Sequence, residues 1–157
     1  MKKVLFLLVT FMFLIGCQNQ TTQDEIQDES LFYLNEAYYH HHSFVLIDGE
    51  ELKYLENNNN NFIVFVFMPM CQASALFYEV VAEFMSIHEL SMYRIPFSDI
   101  EGTRMADAIT YFPTAVIYRE GLVRTYLQPD RDEHIPYYQS AIGFESWLIQ
   151  YIYLTNE

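Results

Sequence analysis

Residues 62–71 read Phe-Ile-Val-Phe-Val-Phe-Met-Pro-Met-Cys. The first six are all apolar, and an unbroken apolar run of this length is typical of a strand that is buried on both faces. Such strands lie at the centre of a sheet that helices cover on each side. The run therefore predicts a central strand, followed by a loop that ends in Cys71.

A long helix is predicted from Cys71 to about Glu89. Its apolar residues recur at helical spacing in two adjacent stripes, which are Leu76, Val80, Phe84 and Ile87, and Phe77, Val81 and Met85. We expect this wide apolar face to pack on the sheet.

The remaining segments complete an α/β pattern around this unit. Three further helices are predicted before the last strands, over Ser30–Tyr39, Glu50–Glu56 and Gly102–Thr110. Short strands are predicted at Phe44–Ile47 and Met92–Ile95. A hairpin is expected from Thr114–Tyr118 and Leu122–Tyr126 with Gly121 in its turn, followed by an amphipathic helix from Phe144 to Ile152. This order predicts a mixed central sheet with helices on both faces.

The composition excludes several classes of protein. With 157 residues, 52% of them hydrophobic, the chain has the size of one domain and enough apolar side chains for a sizeable core. The formal net charge of −13 argues against nucleic acid as a partner, because phosphate binding needs clustered Lys and Arg. Cys17 and Cys71 are too few for a disulfide scaffold, and we expect them not to pair.

The N-terminus has the features of a secretory signal. Lys2 and Lys3 precede the apolar run Val4–Ile15. This run is too short to span the core of a bilayer comfortably and has the length of the apolar region of a secretory signal. The run ends in Leu14-Ile15-Gly16-Cys17, which resembles the lipobox of bacterial lipoproteins. The resemblance implies that residues 1–16 are removed and that acylated Cys17 holds the protein on the outer face of the cell membrane. A transmembrane anchor and a signal peptide without lipid are the alternatives.

The rest of the chain divides into a tether and a folded part. Residues 17–29 are polar and acidic after Cys17, which predicts a flexible, lipid-anchored tether. Residues 30–157 are expected to form the folded domain.

Four features occur in a specific order along residues 44–154. A buried strand runs into a loop whose cysteine, Cys71, opens a long helix. About forty residues later, Tyr111-Phe112-Pro113-Thr114 precedes the next strand, and a hairpin and an amphipathic helix follow. In this order the chain resembles the thioredoxin-like superfamily, in which a cis-proline precedes that strand. The resemblance implies an α/β, thioredoxin-like fold.

The resemblance also implies roles for individual residues. Cys71 takes the position of the attacking cysteine and Ser74 that of the second, resolving cysteine, so the catalytic motif is Cys-x-x-Ser. Pro113 takes the position of the cis-proline, beside the attacking sulfur. Phe65 stands where thioredoxins carry a buried acid. The substrate-binding residues that the resemblance implies are Met70, Phe112 and Pro113.

The helix-start position of Cys71 indicates its chemistry. A thiol there faces unpaired N–H groups and the positive end of the helix dipole, which stabilise the thiolate that attacks disulfides. Without a second cysteine the protein cannot resolve the mixed disulfide itself. We therefore expect a monothiol disulfide isomerase or oxidoreductase that acts on thiols or disulfides of exported proteins and needs no cofactor.

An alternative function is a redox-silent binding module that uses the groove beside Pro113. The strand and helix pattern, the acidic composition and the lipid anchor also look like accessory proteins of Gram-positive bacteria, including those linked to bacteriocin export. The two functions differ in whether Cys71 takes part in covalent chemistry.

Three consecutive histidines, His40, His41 and His42, raise the question of a metal site. Their side chains cannot all face one ion from a helix or a strand, and no cysteine or carboxylate flanks them at ligand spacing. We therefore expect exposed polar residues there and no bound metal. His88 and His134 are expected to be structural or exposed.

Overall fold

The computed structural model describes residues 31–155, which form a five-stranded sheet with three α-helices. The strands are β1 (Phe44–Leu46), β2 (Phe62–Phe67), β3 (Met92–Pro96), β4 (Thr114–Arg119) and β5 (Leu122–Tyr126). The α-helices are α1 (Gly49–Asn57), α2 (Gln72–His88) and α3 (Ala141–Leu148), and short 3-10 helices span Glu36–Tyr38, Phe97–Asp99 and Asp132–Tyr138. The strand order is β1-β3-β2-β4-β5. The first three of these strands run parallel, and β4 is antiparallel to both of its neighbours.

Strand β2 lies at the centre of the sheet, as the apolar run predicts. It pairs in parallel with β3 and antiparallel with β4, so both of its edges are hydrogen-bonded. Its first five residues, from Phe62 to Val66, are at most 1% exposed. The chain can therefore leave the sheet only beyond Phe67, at the edge where the loop to α2 begins.

Helices cover both faces of the sheet. On one face, the ring of Phe65 packs against Phe77 of α2 with centroids 5.7 Å apart, and α3 packs beside α2. On the other face, Phe62 stacks on Tyr118 of β4 at 4.4 Å, and the Tyr118 hydroxyl donates to Glu56 of α1. Phe62 and Phe65 point to opposite faces because they are an odd number of residues apart on one strand. The predicted α/β fold with a mixed sheet is confirmed.

Only one of the two predicted stripes of α2 is fully buried. Against the sheet, and at most 2% exposed, lie Phe77, Val81 and Met85. In the other stripe Phe84 is buried, but Leu76 and Ile87 are 64% and 59% exposed. One sheet and one neighbouring helix cover only part of the circumference of α2, and no other described segment covers the rest.

The helix predicted over Ser30–Tyr39 is wrong for the part that the structure describes, residues 31–39. Only Glu36–Tyr38 is helical, as a single 3-10 turn. The N–H of Phe32 instead donates to the carbonyl of Tyr151, and its carbonyl accepts from the N–H of Tyr153. Hydrogen bonds to the C-terminal segment thus replace those of a helix.

The helix predicted over Gly102–Thr110 is also wrong, because this segment is a series of turns. The N–H of Arg104 donates to the carboxyl group of Glu56, 2.9 Å away on α1. The N–H and the hydroxyl of Thr103 both donate to the carbonyl of Ile100. Further along, the N–H of Ala106 donates to the carbonyl of Thr103, so the backbone closes short turns in place of a helix.

The predicted hairpin is confirmed. Strands β4 and β5 pair antiparallel around Glu120 and Gly121, which have φ values of 52° and 74°. Gly121 is required here for a second reason, since a Cβ at this position would clash with the carbonyl oxygen of Glu56. The hairpin turn therefore lies directly against the end of α1.

The predicted signal peptide, the lipid-bearing Cys17 and the tether lie outside the described residues. Within residues 31–155, no helix combines the length and the apolar character needed to cross a membrane.

A buried carboxyl group connects α1 to the hairpin. Glu56 is 3% exposed, and its Oε1 accepts hydrogen bonds from the Tyr118 hydroxyl at 2.8 Å and the Arg104 N–H at 2.9 Å. The guanidinium of Arg104 donates to the carbonyls of Glu56 and Gly121, 2.8 and 2.6 Å away. Burial, and next the charge of Glu56, raise the pKa of Tyr118, so its hydroxyl remains a donor.

Replacement of Glu56 should reveal the importance of this network. Glu56→Ala should lower the free energy of unfolding by about 3 kcal/mol, because the buried Tyr118 hydroxyl and the partly buried Arg104 N–H then lose their acceptor. Tyr118→Phe should cost only about 1 kcal/mol, since Glu56 keeps its bond from Arg104. Urea denaturation measures both values. Equal losses in the two variants would show that the carboxyl group is not the centre of the network.

Candidate active site around Cys71

A tight turn connects β2 to α2. In Met68-Pro69-Met70-Cys71, the N–H of Cys71 donates to the carbonyl of Met68, 3.3 Å away. Pro69 suits the second position of a type II turn because its ring holds φ near −65°. Met70 follows with φ 61°, the left-handed conformation that such a turn requires at its third position. The turn directs the Met70 side chain fully into solvent and brings Cys71 to the start of α2.

Cys71 is the N-cap residue of α2 and is half-buried. Its backbone is extended, with φ −87° and ψ 121°, and its carbonyl accepts from the N–H of Ala75 at 3.0 Å. Its side chain makes no capping hydrogen bond and forms no disulfide with a described residue. The structure therefore presents a thiol at the positive end of a helix of 17 residues.

Ser74 lies in the first turn of α2 and faces back toward the loop. It is 4% exposed, and its hydroxyl accepts a hydrogen bond from the N–H of Met68 at 3.1 Å. The N–H of Ser74, and next its hydroxyl, lower the pKa of the Cys71 thiol. Partial burial of the thiol opposes this effect, and the N–H of Ala73 supports it. Ser74 thus holds the loop and favours the thiolate, while its catalytic role stays a prediction.

Cys71 opens onto a groove of about 480 Å³. Met70 and Ser74 line the groove together with Cys71, so three of the predicted site residues lie in one place. Apart from the turn, its walls include three aromatic side chains, those of Phe65 and Phe67 of β2 and Tyr78 of α2. A groove of this volume can hold a short peptide segment or a small molecule.

Sequence reasoning missed a cation in this groove. Arg94 of β3 lies with its guanidinium carbon 5.8 Å from the ring centre of Phe67 and 5.9 Å from that of Tyr78. Its Nε is buried and has no hydrogen-bond partner among the described residues. The signal in the sequence is a single Arg inside the short strand predicted at Met92–Ile95, since charged side chains are rarely placed in interior strands without a partner.

The predicted cis-proline lies at the same edge of the sheet but is not among the residues that line the groove. The peptide bond between Phe112 and Pro113 is cis, as predicted. Thr114 pairs with Val66 near the end of β2, which places Pro113 beside the point where the chain leaves the sheet. The ring of Phe112 packs against Phe97 with centroids 4.8 Å apart. Substrate contact by Phe112 and Pro113 stays a prediction.

The five histidines of the described residues differ in their surroundings. Residues 40–42 are exposed, and within residues 31–155 no three His, Cys, Asp or Glu side chains are grouped as metal ligands would be. The Nε2 atom of His88 on α2 lies 3.3 Å from the carboxyl group of Glu145 on α3. The Nδ1 atom of His134 accepts from the N–H of Gln128 at 2.9 Å, and burial lowers the pKa of His134. His134 therefore links two segments of the fold, whereas the Nε2 atom of His88 is buried beside Glu145 without a hydrogen bond to a described residue.

Solved thioredoxin structures are similar to this chain at low sequence identity. A mutant thioredoxin from Halobacterium salinarum NRC-1 aligns with a TM-score of 0.53 and 15% identity, over 72% of this chain and 94% of that chain. Oxidized mitochondrial thioredoxin 3 from Saccharomyces cerevisiae aligns with a TM-score of 0.51 and 9% identity, over 68% and 93% of the two chains. No protein-family model and no curated protein sequence matches the chain. At these identities the likeness establishes the fold alone, and the chain has a thioredoxin-like fold.

Alkylation of Cys71 should show a pH midpoint below that of an ordinary cysteine. Iodoacetamide reacts with the thiolate, and the donors of Ser74 favour that form, so the rate at neutral pH should exceed that of the same protein unfolded in urea. Rate constants measured from about pH 5 to about pH 10 in a Cys17→Ser background, where Cys71 is the only thiol, give both midpoints.

Ser74→Ala is the control for this measurement. It removes the hydroxyl donor and should move the midpoint upward, toward the ordinary value. Because the pKa of Cys71 is lower in the folded state, the thiolate stabilises the fold above the unfolded-state pKa, and this contribution is lost as the pH falls through the folded-state pKa. Identical midpoints for folded and unfolded protein would contradict a stabilised thiolate.

Proposed function

We propose that the protein exchanges thiols and disulfides through Cys71, as a single-cysteine isomerase or oxidoreductase. The observation that carries this proposal is the position of Cys71 at the start of α2, half-buried at a groove, with its pKa lowered by the donors of Ser74. A cysteine that served only as an apolar filler would be buried and surrounded by apolar groups, which raise the pKa of a thiol. The thioredoxin-like fold of the chain supports the same class of chemistry.

The reaction consists of two exchange steps. The Cys71 thiolate attacks one sulfur of a substrate disulfide, forms a mixed disulfide with it and releases the other sulfur as a thiolate. A thiolate of the same substrate then attacks the substrate sulfur of the mixed disulfide, closes a new substrate disulfide and releases Cys71 as a thiolate. The result is a rearrangement without net oxidation or reduction. Ser74 cannot perform the second step because a hydroxyl does not form disulfides.

The conformation of Met70 supports a functional role for the turn. Its φ is 61° and its side chain is fully exposed, so the turn imposes this conformation without any gain from core packing of the side chain. A left-handed residue other than glycine costs on the order of 1 kcal/mol, and such residues cluster at functional sites. In this protein the turn places an exposed apolar side chain next to Cys71, where it can contact a substrate segment.

We further propose that lipid on Cys17 holds the protein at the outer face of the cell membrane. The support is the N-terminal sequence, in which Lys2 and Lys3 precede a short apolar run and a lipobox-like segment. The formal net charge of −13 offers no attraction to anionic lipid, so attachment through basic surface residues is not expected. The substrates are then thiols or disulfides of exported proteins, since disulfides persist outside the cytoplasm.

The exchange function can be measured with scrambled ribonuclease. Wild-type protein should accelerate the recovery of ribonuclease activity, and Cys71→Ala should give only the uncatalysed rate, because the mechanism has no other nucleophile. The assay is run in a Cys17→Ser background to exclude exchange at the second cysteine. Equal rates of ribonuclease recovery with wild type and Cys71→Ala would contradict the enzymatic function and favour a binding module.

Ser74→Cys provides the matched variant with a gain of function. A thiol at residue 74 can attack the mixed disulfide, form a disulfide with Cys71 and release the substrate as a thiol. The variant should therefore reduce insulin when dithiothreitol regenerates it, and should retain less covalent substrate adduct than wild type on a non-reducing gel. Ser74→Ala, which lacks the second thiol, should gain neither property.

Lipid attachment should depend on Cys17. In a Gram-positive host, wild-type protein should incorporate labelled palmitate and sediment with membranes, whereas Cys17→Ala should incorporate none. Mass spectrometry of the N-terminus reports whether residues 1–16 have been removed. Wild-type protein that sediments with membranes but carries no label and keeps residues 1–16 would establish the transmembrane alternative.

A further inference from the structure

Arg94 has no acidic partner within the described structure. Its neighbour in the parallel ladder with β2 is Phe65, an apolar residue. Glu79 is the only acid among the described residues that line the groove, and it forms no ion pair with Arg94. The buried Nε donates to no described group. A half-buried charge without an ionic or hydrogen-bonding partner destabilises the fold unless a bound group supplies that partner.

The aromatic contacts hold this cation in place. The rings of Phe67 and Tyr78 both lie within 6 Å of the guanidinium carbon, at 5.8 and 5.9 Å. Phe67 ends β2 and Tyr78 lies within α2, so both rings belong to regular elements of the scaffold. A planar guanidinium with restricted motion presents donors that match a carboxylate at a small entropic cost.

We propose that Arg94 makes the Cys71 groove a binding site for acidic, cysteine-containing peptide segments. The substrate carboxylate binds the guanidinium while the substrate sulfur lies at Cys71. This inference rests on the proposed exchange function and adds the class of substrate to it. The apolar walls and the volume of about 480 Å³ suit a short stretch of peptide, with the charge recognised at one point.

The charge distribution selects a carboxylate as the recognised group. Arg94 is the only basic residue among the described residues that line the groove, and one cation suits a single carboxylate better than a polyphosphate. The formal net charge of −13 repels acidic segments from most of the surface. The preference for an acidic peptide therefore depends on this one side chain.

The test compares two peptides that differ in one group. They are acetyl-Gly-Cys-Gly-Glu-Gly-amide and its Gln analogue, each joined at its cysteine to neutral 4-thiopyridine as a mixed disulfide. Attack by the Cys71 thiolate on the peptide sulfur forms a peptide–Cys71 disulfide and releases 4-thiopyridone, whose absorbance gives the rate. With Arg94 present, the Glu peptide should react roughly tenfold faster than the Gln peptide. Further pairs with the acid at other distances from the cysteine identify the best spacing.

Three variants in a Cys17→Ser background locate the effect. Arg94→Met keeps an apolar stem between the rings and should bring the Glu-to-Gln rate ratio to about one, whereas Arg94→Lys should keep part of the preference. Arg131→Met removes an exposed arginine that lies 3.6 Å from Glu133, and should leave the ratio unchanged at the same net charge. The melting temperature of Arg94→Met should be unchanged or higher, because the variant loses an unpaired, half-buried charge.

A second measurement separates this inference from the exchange function. Cys71→Ser protein is titrated with the S-methylated forms of the two peptides, and the Nε–H signal of Arg94 is followed by NMR. If no disulfide peptide reacts with Cys71 but the acidic S-methyl peptide moves this signal, the exchange function fails and the binding site stands. If both disulfide peptides react equally fast at every spacing, exchange stands and the Arg94 site is overturned. A shift of equal size with sodium acetate would overturn the assignment to peptides.

Discussion

The burial of β2 on both faces is the constraint on which the rest of the structure depends. An apolar strand of six residues needs a layer of side chains on each face and a hydrogen-bonded neighbour at each edge. The layers come from α2 with α3 on one face and from α1 on the other, and the neighbours are β3 and β4. The chain leaves the sheet just before Pro69, which has no N–H and so cannot donate a hydrogen bond to a neighbouring strand. The position of the thiol follows from the burial of the strand that precedes it.

Segments whose conformation is determined locally could be predicted from the sequence. The apolar run of β2, the helix after Cys71 and the hairpin around Gly121 each carry their own pattern, and each is present. The failures are segments whose backbone groups bond to distant parts of the chain. The N–H of Phe32 donates to Tyr151, and that of Arg104 donates to the carboxyl group of Glu56. No local pattern reveals partners that are so far away in sequence.

The position of Cys71 at the start of a helix was predictable from the sequence, whereas the side chains around it were less so. The resemblance pointed to Cys71 and Ser74 through the order of a buried strand, a loop with a cysteine and a long helix, which the sequence pattern carries. The groove is made by side chains from β2, α2 and β3. Arg94 lines it because the register between β2 and β3 places Arg94 beside Phe65. The direction of the Ser74 hydroxyl is likewise set by the turn, since it accepts a bond from Met68. Such features appear only when separate elements are brought together.

The Ser74 hydroxyl connects the loop to the helix, because it accepts a hydrogen bond from the N–H of Met68. Sulfur is a weaker acceptor than oxygen, so a cysteine at this position would hold the turn before Cys71 less firmly. Under the proposed exchange function, Cys71 would attack from a fixed position, and Ser74 could not release the substrate. In that mechanism the lifetime of the mixed disulfide would depend on how soon the substrate presents a thiol of its own.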